Sequence, residues 1–163
     1  IYLQPAKDFG VPADDTTPVI MVGPGTGIAP FRAFLEERHA RGAAGGAWLF
    51  FGNPHSECDF LYKEELEYYL ETGTLSHLDT AFSRDQSEKV YVQDRIREQG
   101  ETLWSWLESG AIFYVCGDAE YMAPAVDEAL HAVVRKYGGR SADEAEHYIK
   151  ELARAQRYQR DVY

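Results

Sequence analysis

Short, continuous apolar runs alternating with amphipathic helical stretches constrain this chain more than any other feature. Residues 18–22 (PVIMV) are bounded by Thr-Thr and Gly, and they are short and apolar enough for a strand buried on both faces. Residues 47–52 (AWLFFG) and 111–116 (AIFYVC) read the same way, and 75–82 (LSHLDTAF) alternates apolar and polar as a third strand in chain order. Between them the spacing predicts helices over 31–41 and 60–71, the second closed by Thr72-Gly73. Two short helices follow at 92–99 and 102–109 with Gly100 as the break between them. A long helix then covers 121–137, carrying Met122, Val126, Ala129, Leu130, Val133 and Val134 on one stripe until Gly138-Gly139 stops it. Ser141 and Glu144 form a capping-box pattern that opens a last helix, and 161–163 adds a final strand. Strands separated by helices of this length imply an α/β fold. The expected form is a doubly wound, mainly parallel five-stranded sheet with helices on both faces.

Size and charge narrow the function classes. A chain of 163 residues suits one domain over residues 1–163. Its formal charge of −11 disfavours nucleic acid and anionic membranes, although a local cationic cluster can still hold a small anion. No apolar run reaches membrane-spanning length. The two cysteines, Cys58 and Cys116, have neither CxxC nor metal-ligand spacing, which reads as free thiols in a reducing cytoplasm. The five histidines form no cluster, and no metal site is expected. The start at Ile1, without an initiator Met, suggests a piece of a longer polypeptide.

In parallel sheets ligands bind beyond the carboxyl ends of the strands, so the residues that follow each strand carry the functional reading. After the first comes GPGTGIAP, with Gly25, Thr26 and Gly27 at its centre. Such a loop lets backbone N–H groups and a helix start approach a pyrophosphate, with the Thr26 hydroxyl as a further donor; the plainer alternative is a tight turn that binds nothing. It matches neither the GxGxxG fingerprint nor a Walker loop. After the second strand stands Gly52-Asn53-Pro54, without the acid that a sheet choosing NAD places against the ribose hydroxyls.

After the third strand, Ser83, Arg84 and Lys89 suit a 2′-phosphate, Tyr91 suits an adenine, and Gln93 can hydrogen-bond near the phosphate. Residues 82–97 hold four cations against three anions, whereas 57–71 hold one against six, so the local field opposes the global one. A solvated loop with ordinary surface pairs is the alternative. After the fourth strand, Cys116 points toward the ligand crevice, followed by Gly117 and by Asp118 as a further cofactor contact. A small buried core residue is the commoner fate of such a thiol.

The combination GPGTGIAPFR, FFGNP, SRDQSEKVYVQD, YVCGDA and RYQRDVY resembles the ferredoxin–NADP reductase superfamily in its diflavin branch, and within that branch the sulfite reductase flavoproteins. The motifs run in family order over nearly the whole chain. The resemblance implies a Rossmann-like NADP(H)-binding subdomain of an NADPH-dependent oxidoreductase. Ser83 and Arg84 would then hold the 2′-phosphate, with Lys89, Tyr91 and Gln93 assisting. Thr26 and its glycines would cradle the pyrophosphate, Cys116 and Asp161 would sit beside the nicotinamide as the catalytic pair, and Tyr163 would stack on FAD. The family usually carries an acidic residue where this chain has Ala125. It further implies an FAD-binding domain and an FMN-binding domain in the same polypeptide and a sulfite reductase haemoprotein as partner. Another reductase with a different acceptor, or a non-catalytic nucleotide-binding module, are the alternatives.

Overall fold

The computed structural model describes residues 9–53, 63–82 and 89–163. Ser83, Arg84 and Cys58, together with the first three residues of the helix expected over 60–71, lie outside the described residues. The elements in order are β1 (Val19–Val22), a 3-10 turn (Gly25–Ile28), α1 (Ala29–Arg41), β2 (Ala47–Asn53), α2 (Lys63–Thr72) and β3 (His77–Phe82). They continue with α3 (Val92–Glu98), α4 (Gly100–Glu108), β4 (Ile112–Gly117), α5 (Met122–Tyr137), α6 (Ala142–Arg154) and β5 (Tyr158–Val162). The five strands form one sheet in the order β3-β2-β1-β4-β5, and every pairing is parallel.

The three central strands β1, β2 and β4 bury both faces, and two cores result. Val19 and Met21 of β1 face α1 and α2 with Phe31, Leu35, Leu49 and Leu66. Ile20 and Val22 face α3 to α6 with Trp48, Phe50, Val126 and Leu130. This is why the central strands read as unbroken apolar runs. The α5 stripe is buried as its spacing predicts, apart from Met122, which is only partly buried. The capping box of α6 is made as expected, with Ser141 N–H donating to Glu144 and Glu144 N–H to Ser141 Oγ at 2.9 and 3.2 Å.

Two expectations change. Gly100 does not separate two helices; it is the first residue of α4, and a Cβ there would stand 2.4 Å from the Tyr137 ring. The glycine is required by close packing of α4 on α5. The last strand begins at Tyr158 rather than 161, because its ladder to β4 is specified by backbone pairing and not by an apolar run. Phe113 pairs with Tyr158, Cys116 with Asp161, and Gly117 with Val162.

Candidate functional site

The chain turns sharply after β1 because Gly25 takes φ +58°, a left-handed value that side chains rarely adopt. Gly27 then packs on the end of β4: a Cβ there would lie 2.2 Å from the Cys116 carbonyl oxygen. Glycine at 27 therefore lets the turn approach β4, and Pro30 near the start of α1 sits where a missing N–H is harmless. The first N–H groups of a helical turn have no helical partners, so this turn presents donors to the space above the sheet.

That space is a cavity of ≈ 740 Å³ at the carboxyl ends of the strands, within the range of small-molecule sites. Pro24, Gly25 and Thr26 line it after β1, Gly52 and Ala81 belong to β2 and β3, and Tyr91, Val92 and Gln93 follow on the β3 side. Gly117, Asp118, Tyr121 and Met122 close the other, and Tyr163 lies at its margin. Residues at or beyond the carboxyl ends of all five strands thus converge on one site. Six residues expected from the sequence meet there: Gly25, Thr26, Tyr91, Gln93, Asp118 and Tyr163. Lys89 is exposed beside this group without lining the cavity.

The last residues of the chain are held closely. Tyr163 N–H donates to the Gly117 carbonyl at 3.0 Å, and Ala119 N–H to the Tyr163 carbonyl at 2.9 Å, so the β4–β5 ladder continues past the strand. The Tyr163 and Thr26 hydroxyls share a hydrogen bond of 3.1 Å, while the ring remains 68% exposed. An exposed aromatic is therefore attached directly to the glycine-rich turn.

Cys116 departs from its expected outlook. It is 3% exposed, belongs to the core on the α1 face, and does not line the cavity. Burial, and then the Asp161 carboxylate opposite it, push its thiol up to about 11. Side chains alternate along a strand, so Cys116, Asp161 and Tyr163 share one side of the sheet end.

Asp118 lines the cavity but already has structural work. Its carboxylate accepts from the N–H groups of Glu120, Tyr121 and Met122 at 3.1, 2.8 and 3.0 Å, which holds its pKa below the ordinary carboxylate value. It fixes the start of α5. The local cation excess is smaller than the sequence count implies. Arg95 is committed to the Thr80 carbonyl at 2.9 Å and to Glu98 at 2.9 Å. Asp94 accepts from Tyr91 N–H at 2.9 Å.

Sequence reasoning did not find Tyr121. The signal available was an aromatic residue just before a helix whose apolar stripe begins one position later.

The residues fit a dinucleotide on two structural grounds. The turn is one that a Cβ at position 27 would obstruct, and the cavity joins it to aromatic residues on both sides. The chain is 58% identical over all 163 residues to the sulfite reductase (NADPH) flavoprotein alpha-component of Shewanella sp. (strain ANA-3), covering 27% of that protein. It is 56% identical over its whole length to the protein of the same name from Vibrio cholerae serotype O1, covering 26% of it. The protein of that name from Yersinia pestis bv. Antiqua is 53% identical, again over the whole chain and 27% of its own length. The chain thus spans about a quarter of the length of the curated relatives it matches. Among the described residues no helix is long and apolar enough to cross a membrane. The family model of the oxidoreductase NAD-binding domain matches residues 21–128, two thirds of the chain from β1 into α5, and the chain belongs to that family.

Proposed function

We propose that this chain binds NADPH in the cavity at the carboxyl ends of its strands and positions the nicotinamide for transfer of a hydride to FAD. The observation that carries this reading is the continuity of the cavity, from Tyr91 and Gln93 past the Gly25–Thr26 turn to Asp118 and Tyr163. A dinucleotide needs that sequence of environments: a surface for a base, donors for two phosphates, and an aromatic boundary at the reacting end.

Ser83, Arg84 and Lys89 hold the 2′-phosphate by charge-assisted hydrogen bonds, with Gln93 beside it and Tyr91 against the adenine. The Gly25–Gly27 turn and the Thr26 hydroxyl receive the pyrophosphate. When bound, NADPH supplies the hydride. Cys116 and Asp161, partners in the β4–β5 register, shape the nicotinamide end, the thiol from within the core that backs the cavity. Tyr163 covers FAD and yields its place to the nicotinamide. The FAD and an FMN belong to other domains of a longer cytoplasmic flavoprotein, which passes electrons to a haemoprotein that reduces sulfite to sulfide. The names of the relatives and the identity over the whole chain support this wider setting.

The test is Arg84→Ala, titrated calorimetrically with NADP⁺ and with NAD⁺. Loss of one charge-assisted contact is worth about 1.5–3 kcal/mol, or roughly ten- to a hundred-fold in affinity for NADP⁺. NAD⁺ affinity should not change. Equal losses for both nucleotides would remove the 2′-phosphate from this site.

A further inference from the structure

We infer that Tyr121 contacts the nucleotide and, with Tyr91, forms a two-sided aromatic clamp for the adenine base; this rests on the NADPH reading above. Among the described residues five large hydrophobic side chains are exposed, and three of them, Tyr91, Tyr121 and Tyr163, line the same cavity. The other two, Tyr68 and Leu70, lie on α2. Tyr121 is the most exposed of the five at 75%.

Tyr91 and Tyr121 are held alike. Each stands immediately before a helix, α3 and α5 respectively. Each has its backbone N–H fixed by a carboxylate: Tyr91 donates to Asp94 Oδ2 at 2.9 Å, and Tyr121 to Asp118 Oδ2 at 2.8 Å. Neither ring stacks on another ring or lies beneath a cation among the described residues. Ala125, one turn further along α5, carries a single carbon and cannot cover the Tyr121 ring from the same helix face. A ring whose backbone is pinned while it stays exposed in a cavity is organised for something that arrives.

The two helices pack side by side on one face of the sheet. Packed helices lie about 8–10 Å apart. A flat base touched on both faces needs rings about 7–8 Å apart, two van der Waals contacts. Tyr91 and Tyr121, at the starts of α3 and α5, line the cavity from two different strand ends, with the small residues Gly52 and Ala81 also in its lining, and the clamp sets one heterocycle in the gap between the two rings. Adenine is the part of the ligand with two aromatic faces and no charge, so it suits this gap better than the phosphates do.

The experiment compares the wild-type chain with Tyr121→Ala and Tyr121→Phe. Calorimetry with 2′,5′-ADP and with base-free ribose 2,5-bisphosphate is combined with proton NMR of the bound adenine. Tyr121→Ala should weaken 2′,5′-ADP about ten-fold, within the range of base-on-aromatic stacking. It should leave the base-free compound unchanged and reduce the upfield ring-current shifts of the adenine protons. Tyr121→Phe should stay within about two-fold of wild type, because the ring and not the hydroxyl makes the contact. Unchanged 2′,5′-ADP affinity with unchanged adenine shifts in Tyr121→Ala overturns the clamp while leaving NADPH binding standing. A wild-type chain that binds neither NADP⁺ nor 2′,5′-ADP overturns both.

Discussion

The two ends of the sheet use their large polar and aromatic side chains in opposite ways. At the amino ends of the strands these side chains turn inward. Arg38 is 1% exposed and donates to the carbonyls of Gly45 and Thr17, joining the segments that enter β1 and β2. Arg157 does the same for Leu107 and Ala111 before β4. Midway along β4, Tyr114 also turns inward, donating to the Gly10 carbonyl at 2.7 Å and packing among Phe9, Phe31 and Phe34. At the carboxyl ends, Tyr91, Tyr121 and Tyr163 turn outward, and hydrogen bonds are spent on their posture rather than on covering them. One sheet therefore separates stability from recognition along its strands, and changes at one end should not be felt at the other.

The strongest challenge to that separation is a methyl group at the tightest point of the turn. Gly27→Ala places a Cβ on the Cys116 carbonyl, where backbone must move. We expect affinity for NADP⁺ to fall more than fifty-fold, with a stability loss of about 1–3 kcal/mol from overpacking. Gly42→Ala, at a left-handed φ of +65° but with open space around it, should lose only about 1 kcal/mol and no affinity. Calorimetry and urea unfolding of the pair measure both quantities. Equal binding by the two variants would show that the turn tolerates displacement.

Arg38→Met sharpens the comparison from the other end. It removes two carbonyl contacts of a buried guanidinium, a loss of about 2–3 kcal/mol. Urea unfolding should register that loss while affinity for 2′,5′-ADP stays within experimental error. A weakened nucleotide site would mean that the two ends are coupled through α1.

A smaller effect is expected where the outward tyrosine meets the turn. Tyr163→Phe keeps the ring and removes its hydrogen bond to Thr26. An exposed bond of this kind contributes at the low end of about 0.5–1.5 kcal/mol. The freed Thr26 hydroxyl should raise affinity for NADP⁺ about two- to five-fold by calorimetry. Unchanged or weaker binding would mean that the two hydroxyls do not compete with the pyrophosphate.

The smallest effect concerns acidity. Burial, then Asp161, raises the Cys116 thiol from 9.0 to about 11, so the folded state favours the protonated form. Stability contributed by this group is complete below pH 9 and declines as the pH rises toward 11. Melting temperatures between pH 8 and 10.5 should fall more steeply in wild type than in Cys116→Ser. Site-resolved mass spectrometry should show Cys116 resisting alkylation at pH 8, and rapid labelling there would place the thiol in the open cavity.

The sheet was largely legible because strands buried on both faces leave continuous apolar runs, as 18–22 and 47–52 do. The early start of β5 was not, since Gln159 and Arg160 join by backbone pairing at an edge where polar side chains are tolerated. Gly100 looked like punctuation because sequence cannot show that the Tyr137 ring occupies the place of a Cβ. Thr26 and Asp118, singled out by their position just after strands, and Tyr91, nine residues past β3, all line the cavity. For Cys116 the sequence left two outlooks open, the crevice and the core, and the structure takes the core, because burial depends on tertiary packing. Tyr121 was missed because an exposed aromatic beside a helix has no periodicity to announce it.

The most direct test of NADPH recognition is a calorimetric titration of the wild-type chain with NADP⁺ and NAD⁺ at the same ionic strength. The contacts assigned to the 2′-phosphate predict a preference for NADP⁺ of at least about ten-fold, the value of one charge-assisted hydrogen bond. The preference should shrink as salt is raised. Equal affinities for the two nucleotides, or no binding of either, would contradict NADPH recognition by this chain.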